Sequence, residues 1–346
     1  MSDMDIESLN QQYTDLLDER VGGRALSCSD EWFAPCENLV KHEEPIFREG
    51  HFVSTGQWMD GWESRRSFGR RARKLSGLDH DWCILQLGIP GTIAAIDIQT
   101  THFKGNAPEF AAIEGSWAPD GPNEKTPWTT LLVKSATAAH SHNLFSLEQE
   151  NHCTHLRLKM YPDGGVARLR AWGTALANAQ QYSEENSIDL ASVLVGGRGQ
   201  QCSDMFYSSP SNLLMPNSGI NMGDGWETKR RRDDGHDWCI IKLGLPGNIC
   251  KVVLDTAHFK GNYPDHFTLE ATSLAAVEGD DAIAADADWQ LVLGPGELHP
   301  DQIHTYVDEI LAAPNDNFTH VRLNIFPDGG ISRLRVYGRP QWEIQA

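Results

Sequence analysis

One set of motifs occurs twice along this 346-residue chain, in the same order each time. Four segments return in the second half with few changes: DGWESRR at 60–66 as DGWETKR at 224–230, HDWCILQLGIPG at 80–91 as HDWCIIKLGLPG at 236–247, THFKGNAP at 101–108 as AHFKGNYP at 257–264, and the PDGG of 162–165 as that of 327–330. Ordered repetition at one long period indicates a tandem duplication of a domain of roughly 150 residues. The chain must therefore fold twice in the same way.

The positions of the repeated segments set the domain boundaries. We predict the following division: an N-terminal leader at 1–20, a first repeat at 21–175, a linker at 176–192 and a second repeat at 193–346. Because 40% of the residues are hydrophobic, each repeat has enough apolar side chains for a core of its own.

Short apolar or alternating runs bounded by Gly, Pro or Asp-Gly predict strands at Trp82–Leu87, Ile93–Thr100 and His155–Tyr161. Helical periodicity is confined to the leader around Ile6–Leu17 and to a short segment at Gln302–Ala312. Regular turn signals with little helix favour an all-β fold closed as a sandwich, with a jelly roll as the expected topology.

The repeated motifs also contain residues that favour scaffold roles. In PDGG, the Asp-Gly-Gly sequence supplies the positive φ angles of a hairpin turn, so we predict that the two flanking strands lie side by side. Trp62 is expected to be buried, and Asp60 with Gly61 is expected to form the turn that presents the rest of its motif.

Charge and cysteine usage exclude several classes of function. With 29 basic and 48 acidic residues the net charge is −19, which disfavours nucleic acid and anionic membrane surfaces as partners. No apolar run is long enough to span a bilayer, and the acidic N-terminus is unlike a secretion signal. Seven cysteines without a C-x-x-C pair predict reduced thiols, a cytoplasmic location and no zinc cluster.

The doubled set DGWE, HDWC-I-x-x-LG-x-PG, HFKGN-x-P and PDGG-x-x-RLR-x-[WY]G resembles the allantoicase family. This resemblance runs from about Gly22 to Gly338 and covers both copies. It implies two tandem jelly-roll domains of the galactose-binding-like type, a homo-oligomeric enzyme, and hydrolysis of allantoate to ureidoglycolate and urea in purine breakdown.

In that reaction urea leaves a carbon that bears two ureido groups, a carboxylate and a hydrogen. Its release requires a general acid, a general base for water and a clamp for the carboxylate. Ionisable side chains in the doubled motifs supply the acid and base candidates: Glu63, His80, Asp81 and His102, with Glu227, His236, Asp237 and His258 in the second copy. Substrate-binding candidates are Arg65, Lys104, Asn106 and Arg168, with Lys229, Lys260, Asn262 and Arg333. The change from Arg65 to Lys229 favours the first copy for a bidentate clamp.

Structural roles compete with these assignments. The His-Asp pair at 80–81 directly precedes a strand, where it can satisfy turn backbone groups, and the arginines that alternate along the closing strands can be paired or solvated. His142 and His304 follow irregular segments and stay open as candidates. A divalent metal such as manganese is compatible with the residue types at the site, but their spacing matches no compact ligand motif.

Two other functions fit the same pattern. A cytoplasmic carbohydrate- or ligand-binding jelly roll without catalysis is compatible with the fold and with mid-domain tryptophans, and an enzyme that releases urea from ureidoglycolate differs only in the group lost. The duplication further leaves open whether each repeat holds a site, whether one site is shared, or whether one repeat is supporting structure.

Overall fold

The chain divides into two compact units, Met1–Leu176 and Ala177–Ala346. The structure is a computed structural model that describes residues 5–67, 79–147, 152–176, 187–274 and 287–341. Each unit contains a set of antiparallel strands with the same order of long strands. The all-β prediction is confirmed, since a single short α-helix occurs among the described residues.

The first unit begins with that helix and continues with twelve strands. Their bounds are α1 Ile6–Gln12, β1 Thr14–Asp15, β2 Arg24–Cys28, β3 Phe52–Val53, β4 Gly56–Gln57, β5 Trp62–Glu63, β6 Asp81–Gln99, β7 Phe110–Ser116, β8 Thr129–Ala136, β9 Leu144–Ser146, β10 His152–Tyr161, β11 Gly165–Val166 and β12 Arg168–Ala175. The main sheet follows the order β1-β12-β6-β10-β7-β8, with β2 and β9 also paired to β6, and β5 pairs with β11.

The second unit has eleven described strands. Their bounds are β13 Ile188–Asp189, β14 Arg198–Cys202, β15 Trp226–Glu227, β16 Asp237–Gly247, β17 Lys251–Asp255, β18 His266–Thr272, β19 Gln290–Glu297, β20 Ile303–Tyr306, β21 Phe318–Phe326, β22 Gly330–Ile331 and β23 Arg333–Gly338. They form a four-stranded sheet β13-β23-β17-β20, a five-stranded sheet β14-β16-β21-β18-β19 and the small pair β15-β22.

The long strand β6 explains how one sheet in the first unit corresponds to two in the second. Its first part pairs with β10 and β2, and its last part pairs with β12 and β9. In the second unit the equivalent chain is divided into β16 and β17, which belong to different sheets. The two predicted strands at Trp82–Leu87 and Ile93–Thr100 are therefore one continuous strand, which serves both layers of the sandwich.

Alternation along these strands produces the core. Cys83, Leu85 and Leu87 of β6 are buried, while the residues between them are half-buried. Side chains of a strand point alternately to its two faces, so this pattern places one face of the strand toward the interior of the sandwich. Trp62 is fully buried, as predicted, and its indole nitrogen donates a hydrogen bond to the Asp30 carbonyl at 2.9 Å.

The hairpin predicted at PDGG was wrong. Strand β10 pairs with β6 and β7, whereas β12 pairs with β6 and β1, so the two strands that flank the motif are not neighbours. Gly164 does adopt a positive φ of 138°, as the sequence suggested. The chain then leaves the turn as β11, which pairs with β5 and carries the motif toward the DGWE segment.

Both predicted helical segments also differ from the structure. The leader helix ends at Gln12, and Thr14 and Asp15 form a strand that pairs with β12. Part of the predicted leader is thus a strand of the first unit. Residues 303–306 form β20, which pairs with β17, so the short helix predicted at Gln302–Ala312 was wrong because strand pairing overrode local periodicity. The predicted linker lies partly outside the described residues, and Ile188–Asp189 within it is β13.

Helices that could cross a bilayer are not found in the described ranges.

Candidate active site

Three of the repeated motifs meet at one carboxyl group in each unit. The Asn106 side-chain amide donates to Glu63 Oε1 at 2.6 Å, which joins the HFKGN motif to the DGWE motif. Glu63 is paired with Gly165 across β5 and β11, and the Gly165 amide donates to the Asn106 carbonyl at 2.8 Å. A Cβ on Gly165 would lie 2.0 Å from the ring of Phe103, so only glycine permits this approach. The motifs, far apart in sequence, therefore build one site.

The same arrangement is present in the second unit. The Asn262 amide donates to Glu227 Oε1 at 2.5 Å, and the Gly330 amide donates to the Asn262 carbonyl at 2.8 Å. The sequence listed the two glutamates as acid or base candidates and the two asparagines as substrate-binding candidates, and the structure places each asparagine on the glutamate of its own unit.

Burial raises the pKa of the Glu63 carboxyl, although the Asn106 hydrogen bond and the Arg66 charge oppose that rise. Desolvation disfavours the charged form of a carboxyl, so Glu63 holds its proton to higher pH than an exposed glutamate does. Because Asn106 donates to Oε1, the proton of a neutral Glu63 resides on Oε2. The group is thus suited to proton donation.

A cleft of about 670 Å³ is present in the first unit, and Arg65 and Arg66, which follow the Glu63 strand in sequence, contribute to its lining. It is lined by Ser29, Asp30, Trp32, Phe33, Arg65, Arg66, Ser67 and Asp81. The Glu63 carbonyl accepts a hydrogen bond from the Phe33 amide at 3.2 Å, so the strand that carries Glu63 also fixes the cleft wall. The cleft is large enough for a small polar molecule.

Two arginines line this cleft, together with Asp30 and Asp81. Arg65 forms an ion pair with Asp30 at 2.5 Å and lies over the Trp32 ring at 5.2 Å, while 61% of its side chain stays exposed. Arg66 donates to Asp163 at 3.1 Å and to the Gly105 carbonyl at 2.8 Å. Sequence reasoning named Arg65 but missed Arg66, whose adjacency to Arg65 in SRR was the available signal.

The His-Asp pairs serve mainly to hold turns. Asp81 is 2% exposed and accepts hydrogen bonds at 2.8 Å from the hydroxyls of Ser29 and Ser64. The His80 ring contacts Asp79, with Nδ1 3.0 Å from the carboxylate, and lies 5.1 Å from the Tyr161 ring. These contacts agree with the structural alternative given for the pair, although Asp81 also lines the cleft.

In the second unit this pair has different partners. Asp237 accepts from Ser203 and from Arg231 Nη1, both at 2.8 Å, and the His236 ring stacks on Phe326 at 4.5 Å. A guanidinium thus contacts Asp237 directly. The corresponding Asp81 of the first unit accepts hydrogen bonds from the hydroxyls of Ser29 and Ser64.

His102 and His258 anchor loops in a matching way. Both have positive φ, 69° and 72°, and their Nε2 atoms lie 3.0 Å from the Pro45 carbonyl and 2.8 Å from the Gly219 carbonyl. Non-glycine residues rarely adopt this conformation, and it often marks a functional segment. Lys104 is exposed, and Lys260 lies 3.6 Å from Asp301 with 76% of its side chain exposed.

Arg168 and Arg333, predicted as carboxylate clamps, are buried within the fold. Arg168 is 1% exposed and donates to the Asp60 carboxylate at 2.9 Å, and Arg333 donates to the Asp224 carboxylate at 2.7 Å. Their other donors contact backbone carbonyls and, for Arg333, also the Asn217 side-chain oxygen at 3.0 Å. A guanidinium enclosed in this way does not reach a ligand in the cleft, so the structure assigns both residues to the scaffold.

A second pair of ionisable side chains, His142 and Asp97, lies in the first unit. His142 Nδ1 lies 2.6 Å from the buried carboxylate of Asp97, and the Gln99 amide lies 3.2 Å from His142 Nε2 and donates to Glu44 at 2.9 Å. Val253 stands where the second repeat aligns with Asp97. Sequence reasoning left His142 open and missed Asp97, whose only signal was a charge inside the apolar run IAAIDI.

The site residues do not form a common donor set for manganese. Glu63, His80, Asp81 and His102 contact four separate partners, namely Asn106, Asp79, a serine pair and a backbone carbonyl. Among the described residues, the group whose ligand atoms lie within 4.8 Å of one another is instead Cys28, Glu31 and Cys36. The predicted acid and base residues therefore do not fit a shared metal ion.

The fold and the matching Glu–Asn pairs define a protein of two tandem all-β units with the same site geometry in each. A family model described as "Allantoicase repeat" matches residues 14–176 and again 188–341. The chain therefore belongs to the allantoicase family.

Individual relatives agree with this assignment. The chain is 43% identical to a probable allantoicase of Pseudomonas aeruginosa over 96% of this chain and 97% of the relative, and 42% identical to a probable allantoicase of Acinetobacter baylyi over 94% of each. The crystal structure of allantoicase from Saccharomyces cerevisiae is 33% identical, covers 95% of this chain and 93% of its own, and superposes with a TM-score of 0.77.

Proposed function

We propose that this protein hydrolyses allantoate to ureidoglycolate and urea in purine degradation. Membership of the allantoicase family supports the reaction, and the hydrogen bond between Asn106 and the buried Glu63 carboxyl is the observation that carries the assignment of residues. The carbohydrate-binding alternative finds no support among the full-length relatives, which bear the names of enzymes.

In this proposal Glu63 is the general acid. The substrate carbon bears two ureido groups, so when Glu63 Oε2 donates its proton to one ureido nitrogen, the C–N bond to that nitrogen breaks and urea leaves. The electron pair of the other ureido nitrogen forms a C=N double bond. Glu63, now ionised, accepts a proton from the water that adds to the carbon, which restores its neutral form.

Arg65 and Arg66 bind the substrate carboxylate. Both line the cleft, and Arg65 keeps most of its side chain exposed despite the pair with Asp30. Charge-assisted hydrogen bonds from guanidinium groups are strong and directional, so they can hold an anionic substrate in a protein whose net charge is −19. Asn106 positions the carboxyl by occupying Oε1.

The test compares Glu63→Gln with Glu227→Gln. Each substitution preserves the shape of the side chain and a carbonyl acceptor for the asparagine, but removes the acidic proton. We expect Glu63→Gln to lower kcat for urea release from allantoate by about 10²- to 10⁴-fold, the usual contribution of a general acid. Glu227→Gln is the matched control for the first-repeat assignment.

Loss of about half of the turnover in each variant would assign an independent site to each repeat, whereas a large loss in both would indicate that the two repeats share one working site. Near-normal turnover in Glu63→Gln would overturn the acid role, even if allantoate remained the substrate. Assaying wild-type protein with ureidoglycolate alongside allantoate tests the substrate, since release of urea from ureidoglycolate alone would favour the other urea-releasing reaction.

We also propose a cytoplasmic homo-oligomer. All seven cysteines are free thiols, which suits a reducing compartment, and the family resemblance implies assembly. Cell fractionation and light scattering of the purified protein test the two statements separately. A monomeric mass across the working concentration range would contradict the second.

A further inference from the structure

Two cysteines and a glutamate converge at one wall of the first-unit cleft. Cys28 ends β2, Glu31 lies in the following loop, and Cys36 opens a 3-10 turn that spans Cys36–Val40. Their two sulfur atoms and one carboxylate oxygen all lie within 4.8 Å of one another. The Glu31 carboxylate also accepts a hydrogen bond from the Cys36 amide at 3.0 Å, which fixes the loop between them.

A third thiol lies against this group. Cys83 faces Cys28 in the register of β2 and β6, and its thiol interacts with that of Cys36. Cys36 and Cys83 are buried, Cys28 is half-buried and Glu31 is exposed. The cluster therefore has a rigid buried side and one side open to an ion from solvent.

We propose that Cys28, Glu31 and Cys36 bind a zinc ion, with Cys83 against the buried side of the site. Thiolate and carboxylate atoms bind Zn²⁺ tetrahedrally at about 2.3 Å and 2.0–2.2 Å, distances that small side-chain rotations reach from a group of this span. Soft thiolates favour zinc over manganese or magnesium. This site is distinct from any metal at the Glu63 carboxyl.

Zinc at this position would stabilise one wall of the cleft. The segment between Cys28 and Cys36 contributes Ser29, Asp30, Trp32 and Phe33 to the cleft wall. A metal that joins both ends of the segment restricts the wall to one conformation, as structural zinc does in small loop-rich domains.

The second repeat provides an internal control. It keeps Cys202 and Cys239 at the positions of Cys28 and Cys83, paired in the same register, but has Met205 and Pro210 in place of Glu31 and Cys36. The same fold is thus present without the ligand set. The proposal therefore requires one bound ion per chain rather than two.

The experiment uses the full-length protein, purified in reducing buffer, stripped with a chelator and titrated with Zn²⁺ and separately with Co²⁺. We expect one equivalent to bind with a thiolate-to-cobalt charge-transfer band. Cys36→Ser should abolish the band and weaken zinc binding by at least roughly 100-fold, the upper range for the loss of outer-sphere partners. Cys202→Ser is the matched control and should leave both readouts unchanged.

Glu31→Gln, an exposed change, tests the proposal if Cys36→Ser fails to fold, with an expected loss of roughly tenfold in zinc affinity. Absence of a cobalt band in the wild type, an unchanged titration in Glu31→Gln, or equal loss in Cys202→Ser would overturn the site. A Cys28–Cys36 disulfide that persists in reducing buffer would do the same. None of these results depends on the reaction with allantoate.

Discussion

The two repeats share several matching scaffold contacts but differ in several of their ionisable groups. Trp62 and Trp226 both donate to an aspartate carbonyl at 2.9 Å, and each unit contains one buried Arg–Asp pair and one Glu–Asn pair. A motif that occurs in both repeats can therefore belong to a site or to the scaffold, because a residue that is needed for packing recurs in both copies just as a catalytic residue does.

Ionisable side chains that occur in one repeat but not at the aligned positions of the other say more about function. The Asp97–His142 pair and the Cys28–Glu31–Cys36 cluster belong to the first unit, where the aligned residues of the second include Val253, Met205 and Pro210. Val253 lies on the equivalent strand, and Met205 and Pro210 lie in the corresponding loop and 3-10 turn, without the polar chemistry. The comparison teaches that the first repeat is the better candidate for specialised function, and the following substitutions test it.

The largest expected effect is shared by both repeats. Arg168→Ala should lower the free energy of unfolding of the first unit by about 3–5 kcal/mol, because it leaves the buried Asp60 carboxylate without its partner. Arg333→Ala should do the same to the second unit through Asp224. Denaturant-dependent hydrogen exchange measures each unit separately.

Lys229→Ala is the control for these two variants, since its pair with Asp204 leaves 66% of the lysine exposed and should contribute less than about 1 kcal/mol. A similarly small cost for Arg168→Ala would contradict its scaffold role and return it to the list of ligand-binding residues.

An intermediate effect concerns the pH dependence of stability that one buried aspartate confers on its unit. Burial raises the pKa of Asp189 in the second unit to about 6, above its ordinary value of 3.8. Stability from this group is therefore fully present below pH 3.8 and is lost as pH rises through 6. The stability difference between wild type and Asp189→Asn should change by roughly 2–3 kcal/mol between pH 4 and pH 7.5.

In the first unit, the pKa of Asp18 is shifted in the opposite direction. Burial of Asp18 is outweighed by hydrogen bonds and charges from His42 and Arg20, so its pKa lies below the ordinary value, and its stabilisation is present above pH 3.8 and lost as pH falls. Asp18→Asn should accordingly reverse the direction of the pH dependence. Unfolding curves that differ from wild type by a constant across pH would refute both assignments.

The smallest effect tests the arginine clamp. Arg65→Lys should raise KM for allantoate about tenfold, equivalent to about 1.4 kcal/mol, with little change in kcat, since lysine cannot reproduce bidentate contact or stack as well on Trp32. Lys229→Arg in the second repeat should leave both constants unchanged. If Lys229→Arg changed KM and Arg65→Lys did not, the clamp would belong to the second repeat.

Much of the site could be anticipated from residue type. Glu63, Asn106 and Arg65 stand in repeated motifs, and their acid, amide and guanidinium groups suggested the chemistry that the geometry now supports. Arg168 looked equally suitable, but sequence offered no means of knowing that Asp60 lies beside it. The difference is burial, which depends on strands that are distant along the chain.

The sequence by itself determined the duplication, the all-β class and the family, because these follow from repeated order and from the alternation of apolar residues. Tertiary structure alone decided which side chains meet. In the fold, the strand that follows the PDGG turn pairs with the DGWE strand and the turn does not close a hairpin. Cysteines that lack a C-x-x-C spacing lie together in one cluster. The physical reason is that strand register joins residues without regard to their separation in sequence, so contacts at a site are set by pairing between strands.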